Sequence, residues 1–280
     1  MWFIDTYNEI MTYFPFEEFN MQNWIKYTKL ISPHLYGKIV KDVSGYNFDN
    51  DILPVVTAAL RNKDKIQMTH DSFQKVISGM ESNFITSFGK TLEVDVILYL
   101  GLCSGAGWAT LLDNKQVVLL GIEKIIELEW YDKNTMYALI SHEIGHIWHM
   151  NAGGRFHCQK TQKEKAVFQL YSEGVAMWCE QKLCRNDDFY HGHKKDWLIW
   201  CKGNIMGIKQ EYFRRVQNDI SVQDFFGDWC NYKGHSDVGY YLGCQFVRFL
   251  LSKYDLYQMA SLNNDILFDE FILFSKNPSL

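Results

Sequence analysis

Two histidines four residues apart with a glutamate between them, His142-Glu143-Ile144-Gly145-His146, are the residues of this 280-residue chain whose types and spacing specify a chemistry most directly. On a helix four residues advance the chain by about 400°, so His142 and His146 point within about 40° of each other, one turn apart. Two imidazoles placed this way can share one tetrahedral metal, and zinc suits nitrogen ligands where no redox step is needed. Glu143 stands beside them and is poorly placed to be a third ligand from the same turn. It suits the general base of metal-assisted hydrolysis, holding a water and taking its proton. The plainer reading is a helix with two surface histidines. Against it, Met136, Ile140, Ile144, Ile147 and Trp148 surround the motif with apolar side chains. Such a helix should be buried, and burying two imidazoles and a carboxylate without partners would cost several kcal/mol.

The third ligand tests the reading. One class of zinc peptidases, the metzincins, needs Gly at 149 and His at 152; this chain has His149 and Ala152, which excludes that class. A carboxylate from a second helix remains, with Glu164 and Glu173 as candidates. Glu164 sits in "TQKEKAV" between two lysines and reads as a solvated first-turn residue. Glu173 sits in "VFQLYSEGVAMWCEQKL", with Ala166, Leu170 and Met177 on its own side of the helix. A carboxylate inside an apolar face needs a partner, and Gly174 lets another backbone approach closely. Glu173 is therefore the expected third ligand, a buried salt bridge being the plainer alternative. His149 is expected to meet solvent or an acid behind the ligands. His191 and His193, two apart, read as a turn before a helix, and the spacing of His157 and Cys158 supports no site.

The elements that must position these residues follow from periodicity. The helix carrying the motif spans "NTMYALISHEIGHIWHMNAGG", with Asn134 or Thr135 as cap and Gly153-Gly154 at its end. Before it, residues 1–90 read as several helices, the last of them capped by Thr69 or Asp71. Residues 92–102 and 115–125 are rich in Val, Ile and Leu and read as strands, with a shorter one between them ending at "DNK". The expected sheet is small and antiparallel, of three or four strands. After Asn134 the chain reads helical again through 161–184, 193–216, 236–254 and a short C-terminal piece. The fold class is a helix-rich α+β arrangement, read as a helical N-terminal region (1–90) joined compactly to a second region (91–280).

Composition narrows the partners. Hydrophobic residues make up 47% and aromatics 16% of the chain, ample for a core. A formal net charge of −5 and no basic stripe argue against a nucleic-acid partner. Seven cysteines without a CxxC pair suit a reducing compartment. No stretch approaches 18 uncharged apolar residues and no signal peptide is recognisable, so the expectation is a cytoplasmic protein without a membrane span.

Three elements in order carry a family resemblance: "HEIGH", then "EGVA" starting at Glu173, 27 positions after His146, then "GYYLG" at Gly239–Gly243. The chain resembles the glutamate-type zinc peptidases, or gluzincins, and more closely the bacterial family described as predicted zinc-dependent proteases. That family shows HExxH, a later EGxA helix and a later GYxxG helix. The likeness covers roughly residues 90–255 and departs twice. The gap to Glu173 is longer than in the best-known gluzincins, and Met177 stands where those enzymes place an acid that orients a ligand His. The resemblance implies a zincin-like fold, one zinc per chain on His142, His146 and Glu173, Glu143 as base, and a peptide or protein substrate laid against an edge strand near residues 104–110. It also gives Tyr240 a use as donor to the oxyanion, with Tyr241 and His235 behind it. The plainer reading has Gly239 and Gly243 permitting close helix packing with Tyr240 as core. Two other functions keep the same site: a silent or regulatory zinc- or peptide-binding protein, and a zinc hydrolase of non-peptide bonds.

Overall fold

The computed structural model describes residues 1–153 and 161–277; Gly154, His157 and Cys158 lie outside them. The described chain is mostly helical with one four-stranded mixed sheet, an α+β arrangement. It divides into two compact units, Met1–Ile144 and Gly145–Leu280. No described helix is long and apolar enough to cross a membrane.

The first unit runs β1 (Trp2–Asp5), α1 (Tyr7–Tyr13), α2 (Met21–Ile31), α3 (Leu35–Asp42), α4 (Leu53–Leu60), α5 (Lys63–Phe88), β2 (Asp95–Tyr99), β3 (Gly107–Leu112), β4 (Lys115–Gly121), α6 (Ile122–Glu127) and α7 (Lys133–Asn151), the last of which continues into the second unit. The strand order is β1-β2-β4-β3. β1 pairs parallel to β2, β2 parallel to β4, and only β3 is antiparallel to its neighbour. The antiparallel expectation is therefore corrected to a mixed sheet. Its physical reason lies in the loop at residues 100–106, which carries the chain to the far side of the place β4 will take. β2 and β4 are thus left as inner parallel strands, and their unbroken runs of buried Val, Ile and Leu suit that position. Asp113 and Asn114, with φ of 52° and 61°, form the two-residue turn that returns β3 into β4. Ser32 donates to Asp113 (2.6 Å) and Lys38 sits 4.6 Å over the Trp108 ring, so the α2–α3 corner braces this hairpin.

Local signals were displaced in three places. α5 starts earlier than expected, capped by Asn62, whose side chain accepts from the Lys65 N–H. The strand expected to reach residue 125 stops at Gly121, and Ile122–Glu127 turns helical. α7 is capped by Asp132, which accepts from the Asn134 and Thr135 amides at 2.9 and 3.1 Å. From Met136 to His149 this helix is buried almost without a break, as its apolar circumference requires.

The second unit holds α8 (Gln162–Cys184), α9 (Lys195–Gln217), α10 (Val238–Leu251), α11 (Leu256–Ala260) and α12 (Asn264–Lys276). Thr161 and Glu164 close a reciprocal capping box at the start of α8, which accounts for Glu164. α8 and α10 meet at glycine: a Cβ on Gly174 would stand 2.2 Å from the Gly243 carbonyl oxygen. One on Gly243 would stand 2.4 Å from the Leu170 oxygen. Gly239 likewise admits Phe225 and Phe226.

Candidate metal centre

α7 passes through the division between the units as one uninterrupted helix, so His142 and His146 are held one turn apart on a single element. His142 is buried, and His146 is partly open to solvent. In the second unit His146 Nε2 lies 3.4 Å from Glu173 Oε2. The other ring nitrogen, Nδ1, lies 3.4 Å from Ser172 Oγ, so the ring is turned with Nε2 toward the carboxylate. Glu173 thus stands beside His146, and His142 lies one turn before His146 on the same helix. Two atoms bound about 2.0–2.2 Å from one tetrahedral metal stand about 3.3–3.6 Å apart, and the His146–Glu173 separation falls in that range. Two neutral nitrogens and a carboxylate fit zinc as a donor set, and they leave a fourth position open. Gly145 admits α8 to this region: a Cβ there would stand 2.9 Å from the Cys179 side chain and 3.0 Å from the Ala176 Cα.

Glu143 is held by the first unit. Its Oε2 accepts the Ala109 amide at 2.8 Å. A Cβ on Gly107 would stand 2.6 Å from Oε1, so that position admits only glycine while the carboxylate lies there. Ala106 accepts the Gly121 amide, which turns the main-chain groups of Ala106, Trp108 and Thr110 toward β4. Those of Gly107, Ala109 and Leu111 face away from it. The outer edge of β3 therefore offers the Ala109 carbonyl and the Leu111 amide beside Glu143.

Tyr240 opens α10 half-buried, its ring edge-on to Phe226 with centroids 5.7 Å apart. Tyr241 is buried against Tyr190 and Trp197, and His235 stacks on Trp200 at 3.8 Å. His149 departs from its expected contact with solvent or an acid. It is 2% exposed, lies against Phe168 and Tyr171, and hydrogen-bonds the Ala260 backbone. Burial, with the neighbouring His146 charge as a lesser cause, pushes its pKa down to about 3.

Two carboxylates of zero exposure escaped the sequence reading. Glu123 is 0% exposed and accepts the Gly101 and Cys103 amides at 2.7 and 2.9 Å, fixing the loop that sends β3 to the sheet edge. Burial raises its pKa against the opposing pull of those amides. Glu180 is also 0% exposed and is held by His191, the residue set aside as part of a turn. The sequence signal for Glu180 was weak but present: it lies seven residues after Glu173, on the same face of α8. No family model, curated protein or solved structure matches the chain, so the centre is read from its own geometry.

Proposed function

We propose that the chain is a zinc-dependent peptidase of gluzincin type, with a zincin-like fold. The observation that carries this reading is His146 Nε2 3.4 Å from Glu173 Oε2, on a helix that bears His142 one turn earlier and a Glu143 anchored to a sheet edge. A structural zinc favours four protein ligands and needs no base beside it, whereas a hydrolytic centre takes three and leaves one position open. A zinc bound there supplies Lewis acidity toward the scissile carbonyl and lowers the pKa of water.

The chain's own residues do the rest. Glu143 takes the proton of the attacking water and delivers it to the leaving amine, and its hydrogen bond to Ala109 fixes where that proton is received. The outer edge of β3 binds an extended peptide as an added strand, through the Ala109 carbonyl and Leu111 amide. Gly107 keeps the space between strand and base clear. Tyr240 is the candidate donor to the oxyanion.

The test is metal content and peptide hydrolysis of purified wild type, Glu143→Gln and Glu173→Ala. The expected result is about one zinc per chain, retained in Glu143→Gln with activity down about 10²–10⁴-fold and weakened in Glu173→Ala. Full zinc retention in Glu173→Ala removes that ligand, and hydrolysis that survives Glu143→Gln removes the base.

A further inference from the structure

The hairpin that presents the β3 edge carries a cation on the face of the sheet away from Glu143. Side chains alternate along a strand, so Gly107, Ala109 and Leu111 share the Glu143 face while Trp108 and Thr110 take the opposite one. On that opposite face the Lys38 ammonium of α3 lies 4.6 Å over the Trp108 ring. Among the described residues no carboxylate stands within ion-pair distance of its nitrogen. The acid of the turn, Asp113, is already taken by Ser32 at 2.6 Å and His34 at 2.5 Å. Burial pulls the Lys38 pKa down, and the charge of Asp42 only partly opposes it. We propose that Lys38 selects the substrate: it receives an acidic side chain from the peptide strand laid on the β3 edge, at the residue opposite Thr110. This inference rests on the edge-strand reading above.

The edge fixes which residue is read. An added strand that uses the Ala109 carbonyl and the Leu111 amide places one of its residues opposite Thr110, whether it runs parallel or antiparallel to β3. Residues opposite each other share a face of the sheet, so that side chain lies on the Trp108 and Thr110 side. Trp108 is its diagonal neighbour, about 7–8 Å away and within reach of a long side chain. A glutamate there has methylenes for the indole and a carboxylate for the ammonium. Trp108, Thr110 and Lys38 are each partly open to solvent, so a substrate side chain can enter.

Charge decides against the other classes of side chain. A basic one opposite Thr110 faces a cation already held over the ring and competes with it for that ring. A neutral one leaves the ammonium as it stands. An acidic one supplies the carboxylate that no described residue provides, in a charge-assisted hydrogen bond. The chain as a whole carries a formal charge of −5, which repels acidic peptides in general. The preference is therefore confined to the one position that Lys38 reads and does not extend along the peptide.

The experiment measures kcat/KM of wild type, Lys38→Met and Lys38→Glu on peptides of one sequence in which Glu, Gln or Lys occupies each position in turn. Wild type is expected to favour Glu over Gln at one position by about 5–10-fold, and by less in high salt. Lys38→Met should erase that preference and Lys38→Glu should turn it toward Lys, with cleavage of the Gln peptides kept. If Lys38→Met does not fold, the reversal in Lys38→Glu decides. Wild type that cleaves without preference at any position, or a preference that survives Lys38→Met, overturns the proposal and leaves the peptidase reading standing. If wild type cleaves none of the peptides, the peptidase reading falls, and binding of the same peptides, labelled and followed by fluorescence anisotropy, decides on Lys38. Tighter binding of one Glu peptide that Lys38→Met abolishes supports its role; equal binding of all, or none, overturns it.

Discussion

Each unit buries one glutamate to zero exposure, and the two are satisfied by different kinds of donor. Glu123 is met by backbone amides of the loop at residues 100–106, whereas Glu180 is met by both the backbone and the imidazole of His191. The amides that meet Glu123 belong to one loop, so its bonds fix that loop. Glu180 is met by a single residue through both its main chain and its ring, which fixes both carboxylate oxygens. The contrast separates a carboxylate anchored wholly by backbone from one anchored partly by a side chain.

The largest effect that sharpens this contrast is expected from Glu123→Ala. It leaves the buried Gly101 and Cys103 amides without their acceptor, at about 1–3 kcal/mol for each, so urea denaturation should show a loss of about 2–6 kcal/mol. Zinc affinity of the folded fraction should not change; if it falls with stability, Glu123 does more than fix the loop.

Burial acting on a base should run in the opposite direction from burial acting on Glu123. Glu123 has a raised pKa, so its contribution to stability is present at low pH and is lost as pH rises through its folded value. His149 is depressed from 6.5 to about 3, so its contribution is complete above pH 6.5 and is lost as pH falls toward 3. The slope from this one group approaches about 1.4 kcal/mol per pH unit within that window. Denaturation measured from pH 7 to 4 should be flatter in His149→Leu, even though that variant starts from lower stability. An unchanged acid slope would mean that His149 is not held neutral.

The smallest effect in stability, yet a visible one in rate, is expected from Gly107→Ala. The new methyl group must move the Glu143 carboxylate, and displacement of a catalytic group by about 1 Å can cost on the order of 10²-fold. Peptide hydrolysis should fall by about 10–100-fold with zinc content unchanged. Wild-type activity in this variant would detach Glu143 from the β3 edge.

Much of the frame was legible because it is local. Three- and four-residue spacing placed α7, α8, α9 and α10 within a few residues of their observed ends, and the apolar surroundings of Glu173 marked it as a carboxylate in need of a partner. What escaped depended on residues far apart in sequence. β1 is four residues at the N-terminus and becomes a strand only by pairing with β2 over ninety positions later. The parallel pairing of β2 with β4 follows from where the loop at residues 100–106 is pinned, and Glu123 pins it from the far end of β4. His191 reads as a turn residue until α8 brings Glu180 beneath it. His149 looks polar and exposed by type, and only the aromatic rings of Phe168 and Tyr171 with the Ala260 carbonyl reveal why it can be buried.

The glycine seam between α8 and α10 has a consequence for descent. Chemistry can be abandoned: a copy of this chain recruited to another task could lose His142, His146 or Glu143 and still fold. It could not readily lose Gly174 or Gly243, because any side chain there drives a methyl carbon into a main-chain oxygen that has no rotamer to yield. In a diverged descendant these two glycines, 69 positions apart in this chain, should outlast the histidines and serve as the better marker of common ancestry.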